Sequence, residues 1–329
     1  MQYREMGSSG IKVSAVAMGT WAIGGGPWWG DNDDQQSIRT IHAALDHGIN
    51  LIDTAPVYGF GHSEKVVGEA LRDRRDKAVL ATKCGLWWDD QRGSYHFDYD
   101  GHTVNRSLSA DTLTIEIERS LSRLQTDCID LLQTHWQSVE PDKTSIDDTM
   151  ACLMKMRDDG KIRTIGASNV TCAEMDEYRA AGVLVSNQPR YSMLDRKIES
   201  EVLPYCIQNN VAVLAYSPLE QGLLTGKIGM DYKLTESAVR NHISWFNPEN
   251  RIKVITMVKG WECLTAKYNC TVAQLVIAWT IAQPGLTCAL CGARKESNII
   301  ENAGAGALEL QPEDIALMRT DVETLSPAT

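Results

Sequence analysis

The sequence lacks long apolar runs, and none of its segments approaches the roughly 18 uncharged apolar residues that a membrane-spanning helix requires. Its first residues, MQYREM, are charged and lead into a Gly-Ser turn at 7–10, without the apolar core of a secretion signal. The 43% hydrophobic and 23% charged residues are typical of a soluble globular enzyme. We therefore expect a soluble, cytoplasmic protein with no membrane partner.

Basic residues are fewer than acidic ones. The chain of 329 residues has 32 Lys and Arg against 43 Asp and Glu, a formal net charge of -11. Such a charge argues against nucleic acid or an anionic membrane as the main partner. An anionic cofactor would need a local basic patch.

Patterns for metal binding, disulfides and a Rossmann fold are also missing. The nine cysteines are an odd number, and the one CxxC pair, Cys288 with Cys291, falls in a predicted strand without a second pair nearby. We expect free thiols and no metal site. The glycine-rich segment 24–30 does not read G-x-G-x-x-G, and no helix starts directly from it.

What the sequence does contain is a set of polar side chains at or just beyond the ends of apolar strands. Asp53 ends one such run, Lys83 ends the next and His135 ends a third, while Tyr58 follows Asp53 across a proline turn. A buried Asp is costly unless a cation meets it, and Lys83 is the obvious partner. In an α/β barrel, chemistry is carried at strand ends.

Strand and helix patterns alternate along the whole chain. The predicted strands cover 13–18, 50–53, 78–83, 129–135, 164–168, 183–187, 211–216 and 287–290. Eight repeats in about 300 residues, without a linker, favour a barrel over a doubly wound sheet. The predicted fold class is α/β, a (β/α)8 TIM barrel that forms a single domain over 1–329, with an N-terminal β-hairpin and an extra C-terminal helix at 312–325.

Local signals add details to this fold. Asn32 with Gln35 predicts a capping box for the first helix, and Ser63 predicts the cap of the second. Residues 85–108 and 217–250 are predicted to be long loops that border the site, and one helix is expected near 252–268.

Several motifs together resemble the aldo-keto reductase superfamily over nearly the whole chain. They are Gly19-Thr20-Trp21, Asp53-Thr54-Ala55-x-x-Tyr58-Gly59, Lys83, His135, Gly166-x-Ser168-Asn169, Gln188 and Gly292-Ala293-Arg294. The chain looks most similar to the bacterial general stress protein 69 type and to NADPH-dependent glycerol dehydrogenases and glyceraldehyde reductases. The resemblance implies hydride transfer between NADP(H) and a small aldehyde or polyol, without a metal.

The resemblance implies that Asp53, Tyr58, Lys83 and His135, here called the tetrad, are catalytic. A free phenol near pKa 10 holds its proton tightly, and a neighbouring cation lowers that pKa. We therefore expect Lys83 to activate Tyr58 as general acid and base, with Asp53 keeping Lys83 charged and His135 at the carbonyl oxygen.

The expected cofactor-binding residues come from most strand ends. They are Thr20, Trp21, Asp53, Ser168, Asn169, Gln188, Tyr216, Ser217, Leu219, Gly222, Lys227, Arg240, Gly292, Arg294, Asn298 and Asn302. Tyr216 would stack on the nicotinamide, residues 217–227 would form a strap over the phosphates, and Arg240, Arg294 and Lys295 are candidates for the 2′-phosphate. Asn298, where family members often carry Gln, and Glu220-Gln221, where a basic residue can occur, depart from the family pattern.

Tryptophans are concentrated in the loops after strands and predict a narrow apolar pocket for a short substrate. The expected pocket residues are Trp21, Trp29, Trp88 and Trp136.

Two other functions remain open from sequence. An NADP(H)-binding barrel that acts as a sensor, such as a channel auxiliary subunit, would use the same cofactor with little turnover. A metal-dependent barrel enzyme would need a cluster of His and carboxylates at strand ends, which the sequence does not show.

Overall fold

The computed structural model of the chain describes residues 1–234 and 239–325. Part of the predicted loop at 217–250 therefore lies outside the described residues. The chain opens with the predicted hairpin, β1 (Tyr3–Glu5) paired antiparallel with β2 (Lys12–Ser14). In the described residues, no helix is both long and apolar enough to span a membrane.

Eight parallel strands then close into a barrel, which confirms the predicted fold class. In chain order they are β3 (Val16–Gly19), β4 (Leu51–Asp53), β5 (Val79–Cys84), β9 (Ile129–Thr134), β10 (Ile162–Ser168), β11 (Ser186–Gln188), β12 (Ala212–Tyr216) and β13 (Leu286–Gly292). Each strand pairs with its neighbours in chain order, and β13 pairs with β3 to close the barrel. All carboxyl ends therefore meet at one rim.

Helices connect and follow the barrel strands in the described part of the chain. They are α1 (Gly26–Trp29), α2 (Asp34–Asp46), α3 (His62–Leu71), α4 (Ala110–Leu124), α5 (Ile146–Asp158), α6 (Cys172–Ala181), α7 (Val202–Gln208), α8 (Pro248–Lys259), α9 (Glu262–Tyr268), α10 (Val272–Ile281), α11 (Glu296–Ala305) and α12 (Pro312–Glu323). Helix α12 is the predicted extra C-terminal helix. Its Arg319 donates to Glu199 across the barrel surface at 2.8 Å, and this contact helps to dock the helix.

Several local predictions were wrong. Helix α2 is capped by Asp33, which accepts from the Gln36 amide, rather than by Asn32. Ser63 lies inside α3, where its hydroxyl binds Thr20 instead of capping the helix. The expected helix near 252–268 is two helices, α8 and α9. The strand expected at 183–187 is the shorter β11, which begins three residues later than expected.

The segment predicted as a long loop at 85–108 is a three-stranded antiparallel sheet. It consists of β6 (Leu86–Trp87), β7 (Ser94–Tyr99) and β8 (His102–Arg106), in the order β6-β8-β7. Asp100 and Gly101 join β7 to β8 with positive φ values of 49° and 77°, as a tight hairpin turn requires. The Asp-Gly pair was the sequence signal for this hairpin.

The interior of the barrel is a separate apolar cluster. Its members are Met6, Val13, Ala17, Leu51, Ala81, Leu131, Val185, Ala212, Leu214, Cys288 and Leu290. Because Met6 and Val13 come from the hairpin segment, the opening hairpin packs on the interior residues and closes one end of the barrel. The opposite, carboxyl-terminal end is left for the site.

We predict that Leu214→Ala lowers the free energy of unfolding by about 2 to 5 kcal/mol, because the side chain is fully buried in the barrel interior. Urea denaturation measures the change. Leu317→Ala on α12 is the matched control, since that side chain is 47% exposed. It should change stability by less than about 0.5 kcal/mol, and equal losses in the two variants would contradict the packing described.

Candidate active site

Asp53 and Lys83 form a buried ion pair at the rim. Asp53 ends β4, and Lys83 lies on the adjacent strand β5 with only 1% of its surface exposed. The Lys83 ammonium donates to Asp53 Oδ1 at 2.6 Å and to the Thr54 carbonyl at 2.9 Å. Its Nζ lies 3.2 Å from the Tyr58 hydroxyl. Three of the predicted residues are therefore connected by hydrogen bonds.

The second carboxylate oxygen of Asp53 is also satisfied. Asp53 Oδ2 accepts from Gln133 Nε2 at 3.1 Å and from Gln188 Nε2 at 2.9 Å. Sequence reasoning placed Gln188 at the cofactor and missed Gln133. The signal for Gln133 was present, because it lies two residues after the inward-facing Leu131 on β9, and side chains two residues apart in a strand share a face.

Burial and the ion pair have opposing effects on the pKa of Tyr58. Burial raises the pKa of the phenol, while the charge and hydrogen bond of Lys83 act to lower it. We expected a net lowering, and the structure gives a net rise. The largest cause of the rise is burial of the phenol, and the nearby Asp53 charge raises the pKa further. Burial acts to lower the pKa of Lys83, but Asp53 and Tyr58 together outweigh it, so the pKa is raised and Lys83 remains protonated.

His135 is the fourth member of the tetrad. Its ring meets the Tyr58 ring edge-on, with centroids 5.9 Å apart. Burial lowers the pKa of His135 well below its ordinary value, and the nearby Lys83 and His96 lower it further. The imidazole is therefore neutral at pH 7, and it can donate one N–H hydrogen bond without serving as a cationic acid.

Above the tetrad lies a cleft of about 650 Å³. Tyr58, His135 and Asp53 reach it, while Lys83 lies behind Tyr58. All sixteen expected cofactor-binding residues line the cleft, as do Trp21, Trp29 and Trp136 of the expected substrate pocket. Trp28 and Phe97 also line it and were not among the predicted pocket residues.

The tryptophans hold one another in place. Trp21 packs edge-on against Trp28 and Trp29, at centroid distances of 5.7 and 5.2 Å. The guanidinium carbon of Arg106, from strand β8, lies 4.9 Å from the centroid of the Trp136 ring. Trp88 does not line the cleft, contrary to expectation, because its ring packs on Phe60 at 5.2 Å.

A chain of hydrogen bonds connects the side chains expected at the nicotinamide. Tyr216 donates its hydroxyl to Asn169 Oδ1 at 3.0 Å, and Asn169 Nδ2 donates to Ser168 Oγ at 3.0 Å. Ser168 in turn donates to the Gln188 carbonyl at 2.7 Å. These bonds fix the orientation of the Asn169 amide and of the Tyr216 ring at one wall of the cleft.

The far end of the cleft is basic. Arg294 donates to the carbonyls of Trp29 and Asp31 at 2.9 and 3.2 Å, and Arg240 donates to the Gln221 carbonyl at 2.9 Å. In the described part of the chain, neither guanidinium has a carboxylate within salt-bridge distance. Lys227 differs, because it pairs with Glu301 at 2.5 Å.

Helix α11 begins beside these cations. Its cap residue, Lys295, makes no side-chain capping bond. The Asn298 amide donates to the Lys295 carbonyl at 3.0 Å, while the amides of Glu296 and Ser297 have no acceptor among the described residues and are free for an anion. Two buried polar atoms of cleft residues, Trp29 Nε1 and Gln221 Oε1, also have no hydrogen-bond partner among the described residues. Free amides, two arginines and unpaired polar atoms along one cleft fit a dinucleotide with phosphates.

No metal site accompanies this arrangement in the residues described. They contain no group of three or more His, Cys, Asp and Glu side chains placed to hold an ion. All nine cysteines are free thiols.

Comparison with known proteins decides the family. The Aldo/keto reductase family matches residues 15–321. The chain belongs to this family. It is therefore an oxidoreductase that acts on carbonyl and alcohol groups with a nicotinamide cofactor, and the resemblance drawn from its motifs is confirmed.

Individual relatives cover almost the whole chain. The NADH-specific methylglyoxal reductase of Escherichia coli (strain K12) is 44% identical over 97% of this chain and 98% of its own. The structure of glycerol dehydrogenase AKR11B4 from Gluconobacter oxydans superposes with a TM-score of 0.86 at 39% identity, over 97% and 94% of the two chains. An aldo/keto reductase from Klebsiella pneumoniae, solved with NADP and acetate, has a TM-score of 0.72 at 26% identity, over 97% and 95%.

We predict that Gln133→Leu in this aldo/keto reductase lowers the free energy of unfolding by about 1 to 3 kcal/mol. The change removes a donor from the buried Asp53 carboxylate and leaves Gln188 with one partner fewer. Urea denaturation of Gln208→Leu, at an exposed position of α7, provides the control. If both variants keep the wild-type stability, Gln133 does not support the ion pair.

Proposed function

We propose that this protein reduces small aldehydes to alcohols with NADPH and, in reverse, oxidises short polyols such as glycerol. The observation that carries the proposal is the hydrogen-bonded Asp53–Lys83–Tyr58 array beneath a tryptophan-lined cleft, with neutral His135 beside it. Two relatives support the substrate class, since one is named a methylglyoxal reductase and the other a glycerol dehydrogenase. Both names refer to three-carbon compounds.

The four tetrad residues divide the work of proton transfer. When bound, the cofactor supplies the hydride that reaches the carbonyl carbon. Tyr58 gives its hydroxyl proton to the carbonyl oxygen as negative charge develops there, and Lys83 stabilises the resulting phenolate. Asp53 holds Lys83 in place, and His135 donates its N–H to the same oxygen. In alcohol oxidation the phenolate takes the proton back.

The remaining cleft residues would bind the cofactor along one line. Ser168, Asn169 and Gln188 would face the nicotinamide amide, and the Tyr216 ring would stack beside it. Ser217, Leu219, Gly222 and Lys227 of the strap would cover the phosphates, while Arg240, Arg294, Asn298 and Asn302 would hold the adenosine end. Thr20 and Trp21 would border the nicotinamide. Gly292, which has no side chain, would let the cofactor lie close to the backbone. In this proposal, residues 1–329 act as one cytoplasmic catalytic domain.

The alternative, a sensor barrel with little turnover, uses the same cleft. It needs no proton donor at the carbonyl position, and it gives no reason for a buried lysine held between a carboxylate and a phenol. The complete array therefore favours an enzyme.

We predict that wild-type protein oxidises NADPH in the presence of methylglyoxal or glyceraldehyde, and that Tyr58→Phe lowers kcat by about 10² to 10⁴-fold, the range for general acid catalysis. Cofactor binding should change little, since the hydroxyl acts mainly in the transition state. Loss of nicotinamide absorbance and quenching of tryptophan fluorescence measure the two effects. No turnover with any aldehyde would favour the sensor. A near-normal rate in Tyr58→Phe would assign the proton to another group.

A second prediction concerns cofactor choice. NADPH should bind more tightly than NADH, because Arg240 and Arg294 carry charges that no described carboxylate neutralises. Arg294→Ala should reduce the preference for NADPH by about tenfold or more, as expected for a lost charged hydrogen bond. The affinity ratio is the readout, since Arg294 also holds the Trp29 segment.

Arg179→Ala is the control for this change. Arg179 pairs with Asp176 on α6, and neither residue lines the cleft, so the preference should stay as in the wild type. Tighter binding of NADH by wild-type protein, as the name of the Escherichia coli relative would suggest, would refute the assignment of NADPH.

A further inference from the structure

The strap, residues 217–227, has an unusual backbone. Ser217, Glu220 and Gln221 have φ values of 59°, 45° and 51°, and Gly222 follows with 101°. Left-handed conformations are unfavourable for residues other than glycine. The surrounding structure must therefore hold this segment, and the question is which contact does so.

Glu220 provides the strongest contact. Its side chain is fully buried, and both carboxylate oxygens accept short hydrogen bonds, Oε1 from the Ser192 hydroxyl and Oε2 from Arg190 Nη2, at 2.5 Å each. Glu220 does not line the cleft, although sequence reasoning had noted it as an acidic residue in a place where a basic one can occur. Its charge faces away from the proposed phosphates and is neutralised by Arg190.

The partners of Glu220 belong to the nicotinamide end of the site. Arg190 and Ser192 follow directly after Gln188, and Arg190 pairs with Tyr216 as an isolated parallel bridge. The carboxylate therefore joins the segment after β11 to the strap after β12. Arg190 also contacts Asp195 at 3.3 Å, so its own position is fixed from a second side.

The next residue points the other way. Gln221 lines the cleft, and its backbone carbonyl accepts from Arg240. Within residues 1–234 and 239–325, its buried Oε1 has no hydrogen-bond partner. The backbone conformation of these two successive left-handed residues sets the directions of both side chains. Because the contacts of Glu220 hold its side chain away from the cleft, they also hold the Gln221 side chain toward the cleft. An unpaired acceptor presented to the cleft is available to a ligand with a donor group.

Stability alone does not explain a buried carboxylate here, since replacing a buried ion pair by apolar side chains is often neutral or stabilising. We propose that Glu220 is a positioning residue, whose bonds to Arg190 and Ser192 hold the strap in the conformation that binds the cofactor. The inference rests on the proposed function, because the ligand is the nicotinamide dinucleotide. Glu220 touches neither substrate nor cofactor.

The test compares two carboxylates with the same kinds of partner. Glu64 is also fully buried, and it accepts from the Thr82 hydroxyl and from Arg123, each at 2.7 Å, on the outer side of the barrel. Glu220→Gln and Glu64→Gln therefore remove the same charge from similar surroundings. Only the first pair of contacts reaches the strap.

Glu220→Gln should raise the Kd of NADPH about tenfold in fluorescence titrations, as expected when a charged hydrogen bond is weakened. At saturating NADPH its kcat should stay within about twofold of wild type, because the tetrad is untouched. Glu64→Gln should leave the Kd unchanged. Arg190→Met should also raise the Kd, and the double variant Glu220→Gln/Arg190→Met should be no weaker than the worse single variant, since both act through one contact.

Two outcomes would overturn the inference. One is an equal change of Kd in Glu220→Gln and Glu64→Gln, which would indicate general destabilisation. The other is a normal Kd with a reduced kcat in Glu220→Gln. Failure of the proposed function is seen separately in wild-type protein, which would then show no oxidation of NADPH with any aldehyde, whether or not it binds NADPH.

Discussion

The buried pairing of Asp53 with Lys83 is the interaction on which the rest of the site depends. A lysine with 1% exposure keeps its charge only if its surroundings replace water, and Asp53, the Thr54 carbonyl and Tyr58 do so. The barrel makes this possible, since adjacent strands β4 and β5 end at the same rim. Gln133 and Gln188, from other strands of the barrel, then donate hydrogen bonds to the second oxygen of the Asp53 carboxylate.

Burial of the site also sets the protonation states of Tyr58 and His135, which lie beside the ion pair. Burial raises the pKa of Tyr58 and keeps the phenol protonated, as a donor to a carbonyl oxygen should be. It also keeps His135 neutral, so the imidazole offers a hydrogen bond without competing as an acid. Tryptophans from two loops, those after β3 and β9, line this region, while the cations lie at the far end of the cleft, where phosphates would bind.

The sequence was sufficient to predict the barrel and to predict that Asp53, Tyr58, Lys83 and His135 lie together, because strand periodicity and polar residues at strand ends are local signals. It was insufficient where one residue decides the local backbone. Asp100-Gly101 makes a hairpin in a segment that otherwise read as a loop, and the direction of Glu220 follows from left-handed residues in the strap. The prediction for Trp88 was wrong because its position depends on a tertiary contact with Phe60, which the local sequence does not reveal.

The most direct test of this account is the pKa of Tyr58 itself, followed by NMR of protein with ¹³C-labelled tyrosine in wild type and Lys83→Met. Lys83 lowers the pKa of Tyr58 through its charge and its hydrogen bond, whereas burial raises it. Replacing Lys83 by Met removes the lowering effect and keeps the burial. The account predicts that Tyr58 titrates at higher pH in Lys83→Met than in wild type. The same or a lower titration pH would contradict it.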